Sequence, residues 1–354
     1  MSSKDNCIKS AHLIGEKDDF AQGEDKKCIM VIGGTGFIGA HVARFLAESG
    51  HQVFIYDTQR PTSAMEWLFA PFLDSIHYIK GSITDLSVLL HTLDKHGINQ
   101  IVNTSAITDV EILVNQPLTA HQVMVQGHLN VMEAARLMSI KRVVSTSSIA
   151  IYAPKQYEPI DEKHPVLLPT EAPTIASYSV WKLAIESSGL FYHAYHGVDC
   201  VFLRLSAVYG FGMNYPLYVK PFVEESLSGR PVRFETGGDM KRDYTYIDDV
   251  VSGIALALQA PKNLHSRLFN ITCGGEMISG IQVAEEVRRQ IPETDIKIKN
   301  GLSEFEKRDV KNRGVLSIKR AKQELGYQPS FTFQEGLKAY IRLQKKYLKD
   351  QQLN

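Results

Sequence analysis

The sequence predicts an α/β fold of the doubly wound kind, a parallel sheet with helices on both faces, continued by a smaller C-terminal α/β lid. Three observations carry that prediction. Apolar strand-like runs alternate with amphipathic stretches from residue 28 to 205, and such alternation builds a parallel sheet whose ligands bind outside the carboxyl ends of its strands. The first run, Cys28-Ile-Met-Val-Ile32, enters three glycines spaced three apart, Gly33, Gly36 and Gly39. Beyond Leu205 the pattern loosens into shorter elements, as expected of a lid rather than a second sheet.

The glycine turn organises the first half. A helix follows it, with Phe37, Ile38, Val42, Phe45 and Leu46 on one face and His41, Arg44 and Glu48 on the other. Gly33 permits a sharp reversal, Gly36 removes a side chain where a pyrophosphate would approach, and Gly39 lets helix and strand pack closely. The helix N-terminus offers free N–H groups to phosphate. The second strand, 52–57, ends in Asp57, 21 positions after Gly36, where a carboxylate can accept both hydroxyls of an adenosine ribose. The turn is therefore read as a Rossmann-type dinucleotide site. Asp57 would repel a ribose 2′-phosphate, so the expected cofactor is NAD rather than NADP; Arg60 nearby is read as a solvated loop charge.

The remaining elements follow in order. Residues 76–80 read as a strand, 81–85 as the loop opening a helix through His96, and 101–104 as a strand entering a small-residue loop. A long helix is expected over 117–138 and a strand over 142–147. Five prolines between Ile151 and Thr174 exclude long regular elements there. A helix over 175–196 and a strand over 199–205 complete the sheet. Later helices are expected at 219–228, 248–259, 279–289 and 333–347, with strands at 232–235 and 268–271. Residues 1–26 are read as a mobile N-terminal extension, 27–205 as the NAD-binding domain, and 206–354 as mainly the substrate-binding lid, with some segments returning to the sheet.

Bulk properties narrow the function. A chain of 354 residues with 44% apolar content can bury a large core. Its 39 basic and 39 acidic residues balance, which gives no electrostatic case for nucleic acid or an anionic membrane. No apolar run approaches the roughly 20 residues that span a bilayer, and the charged first 26 residues lack a signal-peptide core. The four cysteines, Cys7, Cys28, Cys200 and Cys273, are far apart and read as reduced thiols of a cytoplasmic protein. The histidines show no metal-ligand spacing, and no metal is expected.

Tyr178 and Lys182 stand four apart on a helix, so both project from one face. A Tyr-x-x-x-Lys pair is commonplace on helix surfaces, but this one follows a nucleotide-type sheet, and Ser147-Ser148 lies at a strand's carboxyl end. A tyrosine has an ordinary pKa near 10; a neighbouring ammonium and an oxidised nicotinamide would favour the phenolate and bring it towards neutrality. Such a tyrosine can remove or return a hydroxyl proton.

Together with the glycine pattern, the stretches Ser147-Ser148-Ile-Ala-Ile-Tyr152, Tyr178-Ser-Val-Trp-Lys182, Arg204 to Gly210 and Arg242-Asp-Tyr-Thr-Tyr-Ile-Asp-Asp249 resemble the extended short-chain dehydrogenase/reductase superfamily. The nucleotide-sugar epimerase/dehydratase branch is the best match, over roughly residues 27 to 345. The resemblance implies that Tyr178 is the acid/base, that Lys182 binds the nicotinamide ribose and tunes Tyr178, and that Ser148 steadies the reacting hydroxyl. It implies cofactor contacts from Gly33, Gly36, Phe37 and Ile38 to the pyrophosphate, Asp57 to the ribose, Ser82 and Ile83 to the adenine, and Thr104, Ser105 and Ala106 along the cofactor. Arg242 and Arg308 match substrate-phosphate contacts, with a salt bridge to Asp243 or Asp248 as the plainer reading of Arg242. Four-helix homodimers are also common in this superfamily.

Departures limit the analogy. Ile149 and Ala150 stand where the family's dehydratases and decarboxylases carry an acidic residue, which argues against both reactions. Ser82 replaces a usual Asp, Ala207 replaces an asparagine that contacts substrate phosphate, and Met124 replaces another frequent asparagine. The expected function is an NAD-dependent epimerase of a sugar nucleotide, UDP-sugar 4-epimerase-like, working through a transient keto intermediate. The alternative is an NAD-dependent dehydrogenase or ketoreductase of a non-nucleotide secondary alcohol or sugar acid. An inactive NAD-binding scaffold is a third reading, which the intact Ser, Tyr and Lys set opposes.

Overall fold

The computed structural model describes residues 27–167, 173–215 and 217–353, and the side chains of all of these except 173–177; the extension expected over residues 1–26 lies outside them. The first half alternates strand and helix: β1 (Cys28–Ile32), α1 (Phe37–Glu48), β2 (Gln52–Asp57), α2 (Ser63–Phe69), β3 (Ile76–Lys80), α3 (Leu86–Lys95) and β4 (Gln100–Asn103). It continues with α4 (Val110–Asn115), α5 (Pro117–His121), a π-helical turn Gln122–Gln126, α6 (Gly127–Leu137), β5 (Arg142–Ser148), α7 (Pro173–His196) and β6 (Cys200–Leu205).

The later part contributes β7 (Ala207–Tyr209), α8 (Val219–Leu227), β8 (Val232–Phe234), β9 (Lys241–Arg242), β10 (Tyr244–Tyr246), α9 (Ile247–Gln259) and β11 (Leu268–Ile271). After these come β12 (Ile278–Ser279), α10 (Gly280–Gln290), β13 (Ile296–Ile298), α11 (Glu304–Val310), α12 (Lys319–Leu325) and α13 (Phe333–Gln352).

One parallel sheet of seven strands runs in the order β11-β6-β5-β4-β1-β2-β3. Its central strands are buried on both faces because helices cover both, while the edge strand β3 alternates between partly buried and exposed residues after its buried Ile76. Side-chain alternation sends Ile29, Val31, Val53 and Ile55 into the core under α1, α2 and α9, and Met30, Ile32, Phe54 and Tyr56 into the core under α3 and α6. The chain reverses direction between β1 and β4, where two successive crossovers leave opposite ways and open a crevice at the strands' carboxyl ends. The segment 268–271 returns to the sheet as β11 beside β6. Short pairs β7 with β10, β8 with β13 and β9 with β12 stand beyond it.

The expected long helix over 117–138 differs in detail. A separate helix α4, capped by the Asp109 carboxylate accepting from Glu111 N at 2.8 Å, precedes it, and after a break at Gln116 (φ −130°, ψ 55°) the expected helix begins at Pro117 as α5. It passes through the π turn before α6, and buried Met124 sits in that turn with its sulfur 3.3 Å from Ile107 N. Helix α2 and the short strands of the later part had no clear periodicity, because two to seven residues are too few to express one.

Candidate active site

The three glycines are held for three separate reasons. Gly33 lies at φ +74°, and a Cβ there would fall 2.8 Å from Ser105 N. At Gly39 a Cβ would reach 2.3 Å from Gly33 O and 2.7 Å from Thr104 Oγ1, so α1 packs on the turn through bare backbone. At Gly36 a Cβ would meet Gly33 O at 3.2 Å and otherwise open space. That open direction is a cradle which any larger residue would fill. Helix α1 begins at the next residue without a side-chain cap, so its first N–H groups face the cradle as anion donors. The turn fits a dinucleotide pyrophosphate.

The turn opens into a cavity of about 340 Å³ at the carboxyl ends of the strands, lined by Gly33, Gly36, Phe37, Ile38, Thr104, Ala106, Ser148, Tyr178, Lys182 and Arg242 among others. Four cofactor candidates stand outside that lining. Asp57 sits beside the turn at the end of β2 and accepts from Thr35 N at 3.2 Å. Ser105 is tied to Asn103 Oδ1 through its hydroxyl at 2.7 Å. Ser82 receives the Tyr56 hydroxyl on its carbonyl at 3.1 Å, and Ile83 is buried, its carbonyl accepting from Asn130 Nδ2 at 3.0 Å. Thr104 clamps β4 to the turn, its hydroxyl donating to Ile32 O at 2.9 Å.

Helix α7 brings Tyr178 and Lys182 to the end of β5. The Tyr178 phenol is hydrogen-bonded to Ser148, and Lys182 Nζ lies 5.7 Å from the Tyr178 ring centroid while donating to Thr146 O at 2.8 Å. Burial pushes Tyr178 up to about 12, opposed by the Ser148 hydrogen bond and more weakly by Arg313. The expected shift towards neutrality counted the charge of an oxidised nicotinamide beside the ammonium, and the chain's own groups do not supply it. Lys182 spends its ammonium on the Thr146 carbonyl, and loss of water around the phenolate outweighs what the chain's own charges return. Lys182 itself is lowered to about 8 by burial, with Glu186 acting the other way.

Under these residues lies a buried network absent from the sequence reading. Ser147 Oγ donates to Glu186 Oε1 at 2.5 Å, Arg204 holds both Glu186 oxygens at 2.9 and 2.6 Å, and Arg204 Nη1 donates to Tyr152 Oη at 2.7 Å. The available signal was Glu186 four residues beyond Lys182, on the same helix face.

The two predicted arginines part company. Arg242 lines the cavity, paired not with Asp243 or Asp248 but with Asp309 at 2.6 Å. Arg313, also in the lining, grips the other Asp309 oxygen at 3.0 Å. Burial pushes the Asp309 carboxyl up, but Arg313 and then Arg242 outweigh it and hold it below its ordinary range. Arg308 instead is exposed, its Nε donating to Glu304 O at 3.3 Å. Adjacent helical residues point about 100° apart, so turning Asp309 inward turns Arg308 out, and Arg313 four residues later is brought in. Ile149, Ala150 and Ala207 also line the cavity, without a carboxylate or an amide among them.

Comparison with known proteins agrees with this geometry. The model of the NAD dependent epimerase/dehydratase family matches residues 29–272. A UDP-glucuronate 4-epimerase of Thermodesulfobacterium geofontis is 27% identical over 321 residues, 89% of this chain and 95% of that protein. A putative UDP-glucose 4-epimerase of Methanocaldococcus jannaschii is 26% identical, over 90% of this chain and 98% of its own. The solved Thermotoga maritima UDP-glucose 4-epimerase, with UDP-glucose, superposes with a TM-score of 0.79 at 25% identity, covering 91% of this chain and 99% of that one.

Proposed function

Because the chain belongs to the NAD dependent epimerase/dehydratase family, we propose that it is an NAD-dependent 4-epimerase of a sugar nucleotide. The observation that carries this reading is the hydrogen-bonded Ser148 and Tyr178 beside Lys182 in a cavity whose next residues are Ile149 and Ala150. An acid/base for one hydroxyl is present, and the carboxylate that elimination or decarboxylation would use at those positions is not.

The glycine turn and the α1 N-terminus would hold the pyrophosphate, Asp57 the adenosine ribose, Ser82 and Ile83 the adenine edge, Thr104 to Ala106 the middle of the cofactor, and Lys182 the nicotinamide ribose. NAD, when bound, supplies a reversible hydride acceptor and a positive ring that favours the phenolate. Tyr178 takes the proton from the substrate hydroxyl and later returns it. Ser148 donates to the oxygen as it becomes a carbonyl, where a fixed donor is worth most. Arg242 and Arg313 suit a substrate diphosphate, anchoring the nucleotide end while the sugar moves. Val110, Leu113 and Ile149 give the keto form an apolar wall with few directional bonds to oppose its turning over.

The test is purified protein with UDP-sugars, followed by NMR. Interconversion of C4 epimers without added NADH supports the reading; stoichiometric NADH production from a free alcohol, with no epimer formed, overturns it. Ala207 favours a second reading, a dehydrogenase of a non-nucleotide alcohol, since its methyl group gives phosphate no donor.

The same reading extends to assembly and compartment. Val114, Leu118, Leu137, Val180, Phe191 and Tyr195 are exposed apolar side chains on α4 to α7, helices that pack side by side, and they suit a four-helix homodimer contact. Light scattering at micromolar concentration tests it, a monomer mass counting against. Cys28, Cys200 and Cys273 form no disulfide and no helix among the described residues is long and apolar enough to cross a membrane, which fits the cytoplasm.

A further inference from the structure

We infer that Glu186 is a positioning residue of this site, fixing Lys182 and the end of β5 beneath Tyr178. It never reaches the cavity lining. At 2% exposure it lies one helical turn past Lys182 and is tied to two strands. Its Oε1 accepts from Ser147 Oγ on β5 at 2.5 Å, and its two oxygens accept from Arg204 Nε and Nη2 on β6 at 2.9 and 2.6 Å. Arg204 passes the connection to Tyr152 Oη at 2.7 Å, and Tyr152 donates to Asn270 Oδ1 on β11 at 2.7 Å.

Helix α7 thus seizes two consecutive residues of β5. Lys182 Nζ donates to the Thr146 carbonyl, and Glu186 receives the Ser147 hydroxyl. The next residue is Ser148, bonded to Tyr178. A slip of β5 against α7 would therefore part the two groups that handle the substrate proton, and misplacement of about 1 Å can cost a hundredfold in rate. The same carboxylate supplies the compensating negative charge for the buried ammonium. The other groups facing Lys182 are the Thr146 carbonyl from β5, Tyr178 on its own helix and His128 from α6; His128 is held neutral by burial, at about 3.

A buried ion pair that served the fold alone would affect stability and leave the pH profile in place. Three proteins separate these cases: wild type, Glu186→Gln, and Glu186→Gln with Arg204→Met, which relieves the unpaired guanidinium should the single variant not fold. Each is checked by circular dichroism and NAD stoichiometry before kinetics on a UDP-sugar or, should the dehydrogenase reading hold, on the alcohol it oxidises. The folded variants are expected to lose about tenfold or more in kcat with KM changed less than about threefold, the pattern of a lost transition-state contact. The alkaline limb of kcat should move down by roughly half a pH unit or more as Lys182 loses its counter-charge. Tyrosinate absorbance, titrated with Tyr178→Phe as the blank, should move for Tyr178 in the same variants, a readout independent of turnover. Wild-type kcat, alkaline limb and phenol titration in a folded variant would overturn the inference.

Discussion

At the residue scale, the site separates side chains that line the cavity from side chains that only stand near it. Burial by the chain alone keeps Tyr178 neutral, with Ser148 as its partner, and the positive nicotinamide of bound NAD would favour the phenolate that accepts a substrate proton. Tyr178→Phe should lower kcat by about 10²- to 10⁴-fold, the range of general acid/base catalysis, while the protein still binds NAD; retained turnover would remove Tyr178 from the reaction. The two arginines offer a sharper contrast. Arg313 lines the cavity against Asp309, whereas Arg308 is exposed and bonded to its own helix. Arg313→Ala should raise KM for a UDP-sugar by about tenfold or more, the loss of one charge-assisted contact of 1.5 to 3 kcal/mol, and Arg308→Ala should leave it near wild type. The reverse order would show that α11 turns on ligand binding.

At the element scale, the glycine turn distinguishes room for a ligand from room for the fold. Gly36 has φ −74° and ψ 171°, a conformation open to any residue, and a Cβ there meets one carbonyl at 3.2 Å. Gly36→Val should therefore fold with a Tm close to wild type yet weaken NAD binding about tenfold or more, because its methyl groups occupy the cradle. At Gly39 the Cβ would collide with backbone at 2.3 Å, so Gly39→Val should cost about 3 kcal/mol or more, or fail to fold. Calorimetry of both variants with and without NAD checks the pair.

At the scale of the whole molecule, pH acts through groups buried where segments distant in sequence meet. His41 on α1 shares a hydrogen bond from Nε2 with Phe211 O at 2.9 Å, across 170 positions, and burial lowers it to about 3. Its folded pKa lies below the unfolded value, so its contribution is whole above pH 6.5 and is lost as the pH falls through 6.5 towards 3, at about 1.4 kcal/mol per pH unit. Asp249 runs the other way. Burial raises it to about 7, against the Ser330 and Phe331 N–H groups it accepts, so its contribution is present at acid pH and lost as pH rises through 4 towards 7. Opposed slopes flatten the wild-type curve, and a comparison of variants separates them. The destabilisation caused by His41→Gln should shrink by about 2 kcal/mol between pH 7.5 and pH 5; a constant difference in denaturant titrations would mean that the fold leaves the His41 pKa at its unfolded value.

Much of this was legible in the order of residues. Strands β1 to β6 and the glycine turn announce themselves because a buried parallel strand must be apolar throughout and a tight turn before a helix must lack side chains; both demands are local. Tyr178 and Lys182 could be paired because helical spacing is also local. Tertiary structure alone decided the rest. It assigned Arg313 rather than Arg308 to the cavity, since which face of the short helix α11 turns inward depends on what Asp309 meets across 67 positions in Arg242. It joined Ser147, Glu186, Arg204, Tyr152 and Asn270 into one buried chain, contacts between elements that leave no periodic trace. It also set how strongly the chain by itself raises the Tyr178 phenol, because desolvation depends on everything packed around the ring, while spacing along a helix reports only its nearest charge.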